Sequence, residues 1–288
     1  MTRVHGYVRF SYPGRSDARA SRIEMTLQER VALLYAPLRM EQRFHLFENI
    51  NLPALRAQTE QDFRISFLAS RLMPLAWRQR MEAAVAALPQ GEVVWNEAER
   101  VIDALNPAIA EVTAAAAGMT FHFRLDDDDA LCTTAIATMA AYCDSALPDE
   151  LPSFPRGFLL IHHDGQVKLI RKYEDFIAIG LGFFAAPGAL RNPFSGRHRK
   201  IYRRVPTRLQ PRLPAYIHVA HSSSDTVASN AMKLRKAERD DPHHLTQSDR
   251  VAALLESHFP FTVPELVRVM ATMPAPAPVL QVYQLAAE

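Results

Sequence analysis

Four short apolar runs separated by helical patterns constrain this chain more than any other feature. Residues 4–12, 63–68, 92–95 and 119–125 are rich in β-branched and aromatic side chains, and the first ends at Pro13-Gly14; such runs read as strands. Between them apolar residues recur at helical spacing: Met40, Phe44, Phe47 and Ile50, then Trp77, Met81, Val85 and Leu88, then Ile102, Leu105, Ile109 and Val112. Pro107 removes a backbone donor and is expected to split the third helix, with Gly118 as its C-terminal cap. Parallel neighbours need a crossover, so this alternation predicts an α/β layer: a mainly parallel sheet flanked by helices. Ligands of such sheets bind beyond the carboxyl ends of the strands. The fourth strand runs there directly into Asp126-Asp127-Asp128-Asp129.

The second half reads differently. Runs at 156–162 and 166–171 flank His163-Asp164-Gly165, a hairpin signal. Strands are expected at 176–186 and 215–220. From Ser224 the pattern is helical, with Ser222, Ser223, Ser224 and Asp225 offering N-caps. The expected organisation is one α/β domain over residues 1–221, with a helical C-terminal extension, 222–288, packed on it.

Composition narrows the partners. The 288 residues carry a formal charge of +2, so bulk charge gives no case for nucleic acid. A basic stretch (Arg197, Arg199, Lys200, Arg203, Arg204, Arg208, Arg212) is interleaved with one aromatic, Tyr202. That fits a diphosphate or an anionic acceptor better than a nucleic-acid interface. Cys132 and Cys143 read as two apolar residues on one helix, roughly 16 Å apart at 1.5 Å per residue and too far to bridge. No apolar run reaches the ~20 residues of a membrane span, and the opening residues lack a secretory apolar core. A reducing, cytoplasmic setting is expected, with peripheral contact the one membrane association left open.

Four adjacent carboxylates repel one another, and a compensating cation is one remedy. Hard divalent ions take oxygen ligands, so carboxylates at i and i+2 suit Mn²⁺ or Mg²⁺ held against a diphosphate. The plainer alternative is an acidic loop capping a helix that begins near Ala130.

The string Phe123-Arg124-Leu125-Asp126-Asp127-Asp128-Asp129-Ala130-Leu131 resembles the DxD motif of GT-A glycosyltransferases. With Leu52-Pro53-Ala54-Leu55-Arg56-Ala57-Gln58-Thr59 before Asp62-Phe63, and Arg9-Phe10-Ser11-Tyr12-Pro13 near the start, the chain resembles the rhamnosyltransferase group of bacterial glycosyltransferases over residues 4–225. The resemblance implies a nucleotide-sugar donor over the carboxyl edge of the sheet and a saccharide or other hydroxyl acceptor. Arg9, Ser11, Ser70 and Asp126 would line the donor, Asp126 and Asp128 would meet the metal, and Asp129 would support them. Where relatives carry an acid after the second strand, this chain has Ser70-Arg71. Asp127, an i+1 neighbour on an extended segment, is expected to face away from the metal side.

GT-A enzymes bring a late histidine back to the metal, and His221 stands where that residue belongs; His218, three positions earlier, points to the other face. An inverting enzyme also needs a base for the acceptor hydroxyl. His198 is the preferred candidate, ahead of Asp225 and Glu174-Asp175. Two rivals share these features: a metal-dependent nucleotidyltransferase, and a polysaccharide- or nucleic-acid-binding module whose aspartates only cap a helix.

Overall fold

A computed structural model describes residues 2–14, 25–163, 166–195, 202–221, 232, 234–235 and 249–275. In chain order its strands are β1 (Val4–Arg9), β2 (Phe63–Ala69), β3 (Gly91–Trp95), β4 (Thr120–Asp126), β5 (Ala130–Leu131), β6 (Leu151–Ser153), β7 (Arg156–His163), β8 (Gln166–Tyr173), β9 (Gly182–Ala185), β10 (Thr207–Leu209) and β11 (Pro214–Ala220). The helices are α1 (Leu27–Leu34), α2 (Pro37–Leu46), α3 (Leu52–Arg56), α4 (Leu75–Ala86), α5 (Val101–Ala115), α6 (Ala135–Tyr142), α7 (Asp249–Glu256) and α8 (Val263–Ala271). A π turn, Phe47–Asn51, joins α2 to α3.

The central sheet has the order β3-β2-β1-β4-β9, with the first four strands parallel and β9 antiparallel to β4. The expected mainly parallel sheet is therefore present. Alternation sorts its side chains onto two faces. Val4, Val8, Phe63, Ile65, Phe67, Phe121 and Phe123 join one core with Met40, Phe44 and Phe47. Tyr7 and Leu68 turn the other way and pack on Leu105 and Ile109 of α5. Gly6 leaves room between strands, since a Cβ there would lie 2.4 Å from Ile65 Cδ1 and 2.5 Å from Phe123 Cζ. The α5 face also holds a polar knot. His122 Nδ1 meets the Tyr7 hydroxyl and Nε2 meets Thr120 Oγ1, each at 2.9 Å. Burial, assisted by the stacked His5, lowers the His122 pKa to about 3.

Chain order reverses between β1 and β4: β2 and β3 extend one way, β4 and β9 the other. Ligands of open α/β sheets bind at such a switch point, and at the carboxyl ends of β1 and β4 Arg9 stands in register with Asp126.

A second sheet, β5-β11-β7-β8, leans on the first; β7 and β8 form the expected hairpin, and β11 runs parallel to β7. Helices α7 and α8 bury Val251, Leu255, Leu266 and Met270 in the main core, while Thr133 N–H donates to the His258 carbonyl at 2.8 Å.

Four local expectations are corrected. Pro107 does not split α5; it is exposed, where water can take the carbonyl it leaves unbonded. Gly118 does not cap that helix: the cap is Ala116, whose extended backbone donates its N–H to Thr113 O at 3.3 Å, and Gly188 (φ 76°) donates to the same oxygen at 2.8 Å from another segment. No helix begins at Ala130. Leu131 and Ala130 pair with Tyr216 and Ile217, so α6 starts only at Ala135, Cys132 precedes it and Cys143 ends it. The 176–186 run is a strand only over β9, since Phe176 (φ 54°) and Gly180 (φ 71°) turn the chain first.

Candidate functional site

The aspartates form a turn rather than an extended run: Asp129 N–H donates to Asp126 O at 3.3 Å. Strand alternation does not continue through that turn, so the surroundings of Asp127 are set by burial rather than by alternation. Asp127 is fully buried and paired with Arg43, whose Nε donates to its Oδ2 at 3.0 Å and whose other arm contacts Oδ1. The same guanidinium donates through Nη1 to Asp128 Oδ2 at 2.9 Å. His221 Nε2 donates to that same oxygen at 2.8 Å. Asp129 Oδ1 accepts the Val219 N–H at 2.9 Å. The two sheets thus meet across the turn, β4 supplying the carboxylates and β11 the histidine and an amide.

The helices beneath complete the cradle. In the π turn the Leu52 N–H reaches back to Phe47 O, one residue farther than an α-helix allows. Asn51, at its end and fully buried, donates its side-chain amide to Asp129 O at 2.8 Å and Asp126 O at 3.1 Å. Neither Arg43 nor Asn51 was singled out from the sequence. The signal was present, since both lie on the apolar stripe of Met40, Phe47 and Ile50, where a polar side chain must find a buried partner.

The carboxylates are driven apart in character. Burial opposes ionisation of Asp128, but Arg43 and His221 outweigh it and hold the carboxyl well below the usual range. Burial, then Asp128 and Asp126, push Asp129 well above it. Burial lowers His221 against the pull of Asp128. Asp126 is half-buried at the carboxyl end of β4.

Could a divalent cation sit here? Among the described residues no three His, Cys, Asp or Glu side chains converge as a ready-made cage. Mg²⁺ and Mn²⁺ do not require one, because one or two carboxylates suffice when substrate phosphates fill the sphere. Among the described residues both hydrogen bonds to Asp128 fall on Oδ2. Asp126 and Asp128 are oxygen donors of the kind these ions take, and His221 acts here by orienting Asp128, so the carboxylate pair fits such an ion.

The other expected residues distribute unevenly. Arg9, Ser11 and Ser70 follow or end β1 and β2, on the same carboxyl edge as Asp126. Ser11 adopts φ 43° and accepts from Arg39 Nη1 at 3.0 Å. Ser70 is fully buried and closes a local turn, accepting from Leu72 N–H at 3.1 Å. His218 turns away from the aspartates toward Lys172 Nζ, 2.6 Å distant, and Glu174 pairs with that same lysine. His198 and Asp225, like Arg197, Arg199 and Lys200, lie outside the described residues. The rest of the basic stretch divides: Arg208 clamps Glu150, Nε to Oε1 at 2.6 Å, whereas Arg203 lies on the surface against Tyr202.

A family model described as "Putative rhamnosyl transferase" matches residues 3–233. The chain belongs to that family. This transferase therefore performs glycosyl transfer, and its mainly parallel sheet flanked by helices agrees with the GT-A resemblance. Solved structures similar to the transferase include S. aureus TarS 1-349 in complex with UDP, at 11% identity over 88% of this chain and 70% of that one, with a TM-score of 0.40. Another is 4-diphosphocytidyl-2C-methyl-D-erythritol synthase, at 13% identity over 81% and 98%, with a TM-score of 0.35. No curated protein matches the transferase. Among its described residues no helix is long and apolar enough to cross a membrane.

Proposed function

We propose that the transferase moves a sugar, rhamnose by family, from a nucleoside-diphosphate donor to a hydroxyl acceptor, with Mn²⁺ or Mg²⁺ held by Asp128 and Asp126 and supported by His221. The observation that carries this reading is Asp128: held at Oδ2 by Arg43 and His221, it stands just past the carboxyl end of β4, at the switch point of a parallel sheet. Orientation by two buried donors keeps that carboxylate in place without cost at the moment of reaction. When bound, the cation would neutralise charge developing on the departing nucleoside diphosphate.

The chain's own residues do the remainder. Arg43 offsets enough negative charge for four carboxylates to share one turn, and Asn51 fixes the backbone that aims them. Arg9 and Ser11, at the end of β1, lie on the edge where the donor's nucleotide would rest. Proton removal from the acceptor falls to His198 in this reading.

The test is a transfer assay with UDP-, dTDP- and GDP-sugars, with and without Mn²⁺, paired with melting curves. Asp128→Asn is expected to lower turnover at least a hundredfold and to erase the Mn²⁺-dependent stabilisation by nucleoside diphosphate. His221→Ala is expected to weaken Mn²⁺ affinity roughly ten- to a hundredfold. Wild-type turnover in the Asp128 variant would end the assignment.

A further inference from the structure

The basic stretch contributes one residue to a place the donor site does not use. Arg212 lies just before β11 and joins Arg156 at the start of β7 and Arg171 and Lys172 at the end of β8 around a cavity of about 370 Å³. Tyr173 and Leu254 of α7 supply its apolar walls. Among the described residues its lining holds no carboxylate. Glu174, next to the lining, pairs with Lys172 at 2.9 Å.

The arginine end of this cavity lies away from the aspartates, and only Lys172, bonded to His218, reaches toward them. Arg156 stands in register with Pro214, whereas Asp129 is held by Val219, five residues farther along β11. At the rise of a strand that is about 17 Å. Arg156, Arg171 and Arg212 are exposed, so they keep their hydration, yet their charges converge on one concavity. Like charges around a pocket focus a field that attracts anions. Guanidinium forks match phosphate oxygens in pairs of parallel hydrogen bonds.

We infer that this cavity is a second ligand site, for a phosphate-bearing molecule, distinct from the donor site. Three guanidiniums suit a group of two or more negative charges, while the Lys172 ammonium is already engaged by Glu174. The Tyr173 and Leu254 walls suit an apolar or ring portion attached to it. Such a group could arrive as a soluble phosphorylated compound or as an anionic lipid headgroup, and the test separates the two.

The probe is sodium tripolyphosphate, titrated calorimetrically into the full chain in EDTA. Arg171→Glu/Arg212→Glu and the milder Arg171→Gln/Arg212→Gln are compared with wild type, with matching melting temperatures confirming the fold. A parallel arm measures co-sedimentation with vesicles of phosphatidylcholine containing phosphatidylglycerol. Expected is a wild-type affinity that falls at least tenfold in the charge-reversal variant, falls less in the glutamine variant, and weakens with salt. Retention on the anionic vesicles, lost in the same variants, supports the site with a lipid headgroup as its source. Tripolyphosphate binding alone supports it with a soluble ligand. Identical isotherms and sedimentation for wild type and both variants, or no binding in either arm, overturn the inference. The aspartate turn is untouched by these substitutions, so loss of the second site with sugar transfer intact separates its fate from that of the donor-site reading.

Discussion

Two clusters of positive charge in this transferase obey opposite rules. At the aspartate turn Arg43 is 10% exposed and its charge is spent on Asp127 and Asp128. Around the second-sheet cavity Arg156, Arg171 and Arg212 stay in contact with water and face a concavity whose described lining has no carboxylate. Taking a guanidinium out of water costs several kcal/mol unless partners replace the solvent, whereas a hydrated one carries no such obligation. The buried cation is therefore part of the structure of its site. The exposed ones keep their hydration and line an open concavity.

The largest effect that could break this comparison is at Arg43. Arg43→Met is expected to cost about 3–5 kcal/mol in urea unfolding, because two buried carboxylates lose their counter-charge. Arg43→Lys should recover only part of that, since an ammonium cannot span both carboxylates as a fork does. A loss below about 1 kcal/mol would mean that the turn does not depend on this pairing. His122 sharpens the same lesson with a neutral group. Its pKa is about 3 folded and 6.5 unfolded, so above pH 6.5 both states are neutral and no penalty exists. As pH falls from 6.5 toward 3 the unfolded state binds a proton that the folded state refuses, and stability drops by about 1.4 kcal/mol per pH unit. His122→Phe should flatten that slope even where it lowers stability overall; an unchanged slope would exclude His122 as its origin. Smaller again is Arg208→Ala, expected to cost about 1–2 kcal/mol because Glu150 is nearly buried. Arg203→Ala, on the surface against Tyr202, should leave the melting temperature unchanged within scatter.

What could be read from residue order follows the same division. Strands β1, β2 and β4 were legible because each buries both faces or nearly so, which leaves an apolar run that no helix of that length would need. The half-exposed edge strand β3 was legible from its Val93-Val94-Trp95 composition. The aspartates were legible as a site because a strand leads into them. Residues 130–131 were not. Ala-Leu-Cys after an acidic turn reads as a helix start, and only pairing with Tyr216 and Ile217, more than 80 positions away, makes it a strand. For Asp127 only the reason given fails, since a turn abolishes the alternation on which the reading relied. Arg43 and Asn51 went unnoticed because helical periodicity weighs apolar positions and passes over the polar residues among them. The carboxylate that Arg43 answers lies 84 positions downstream and the Asp129 carbonyl that Asn51 answers lies 78 downstream, distances that local pattern does not bridge.

The extra residue in the π turn sets a constraint on length as well as on identity. An α-helix advances about 100° per residue, so removing any one of residues 47–51 would turn α2 and α3 into one regular helix. The phase on either side would then disagree by about that angle. Either Arg43 would keep its carboxylates while Asn51 swung off the turn, or Asn51 would stay and the Phe44 and Phe47 packing would rotate out of the core. A sequence could substitute freely at exposed Asn49 and keep its function. It could not lose the position, because the count of residues is what lets one helical segment serve two clocks.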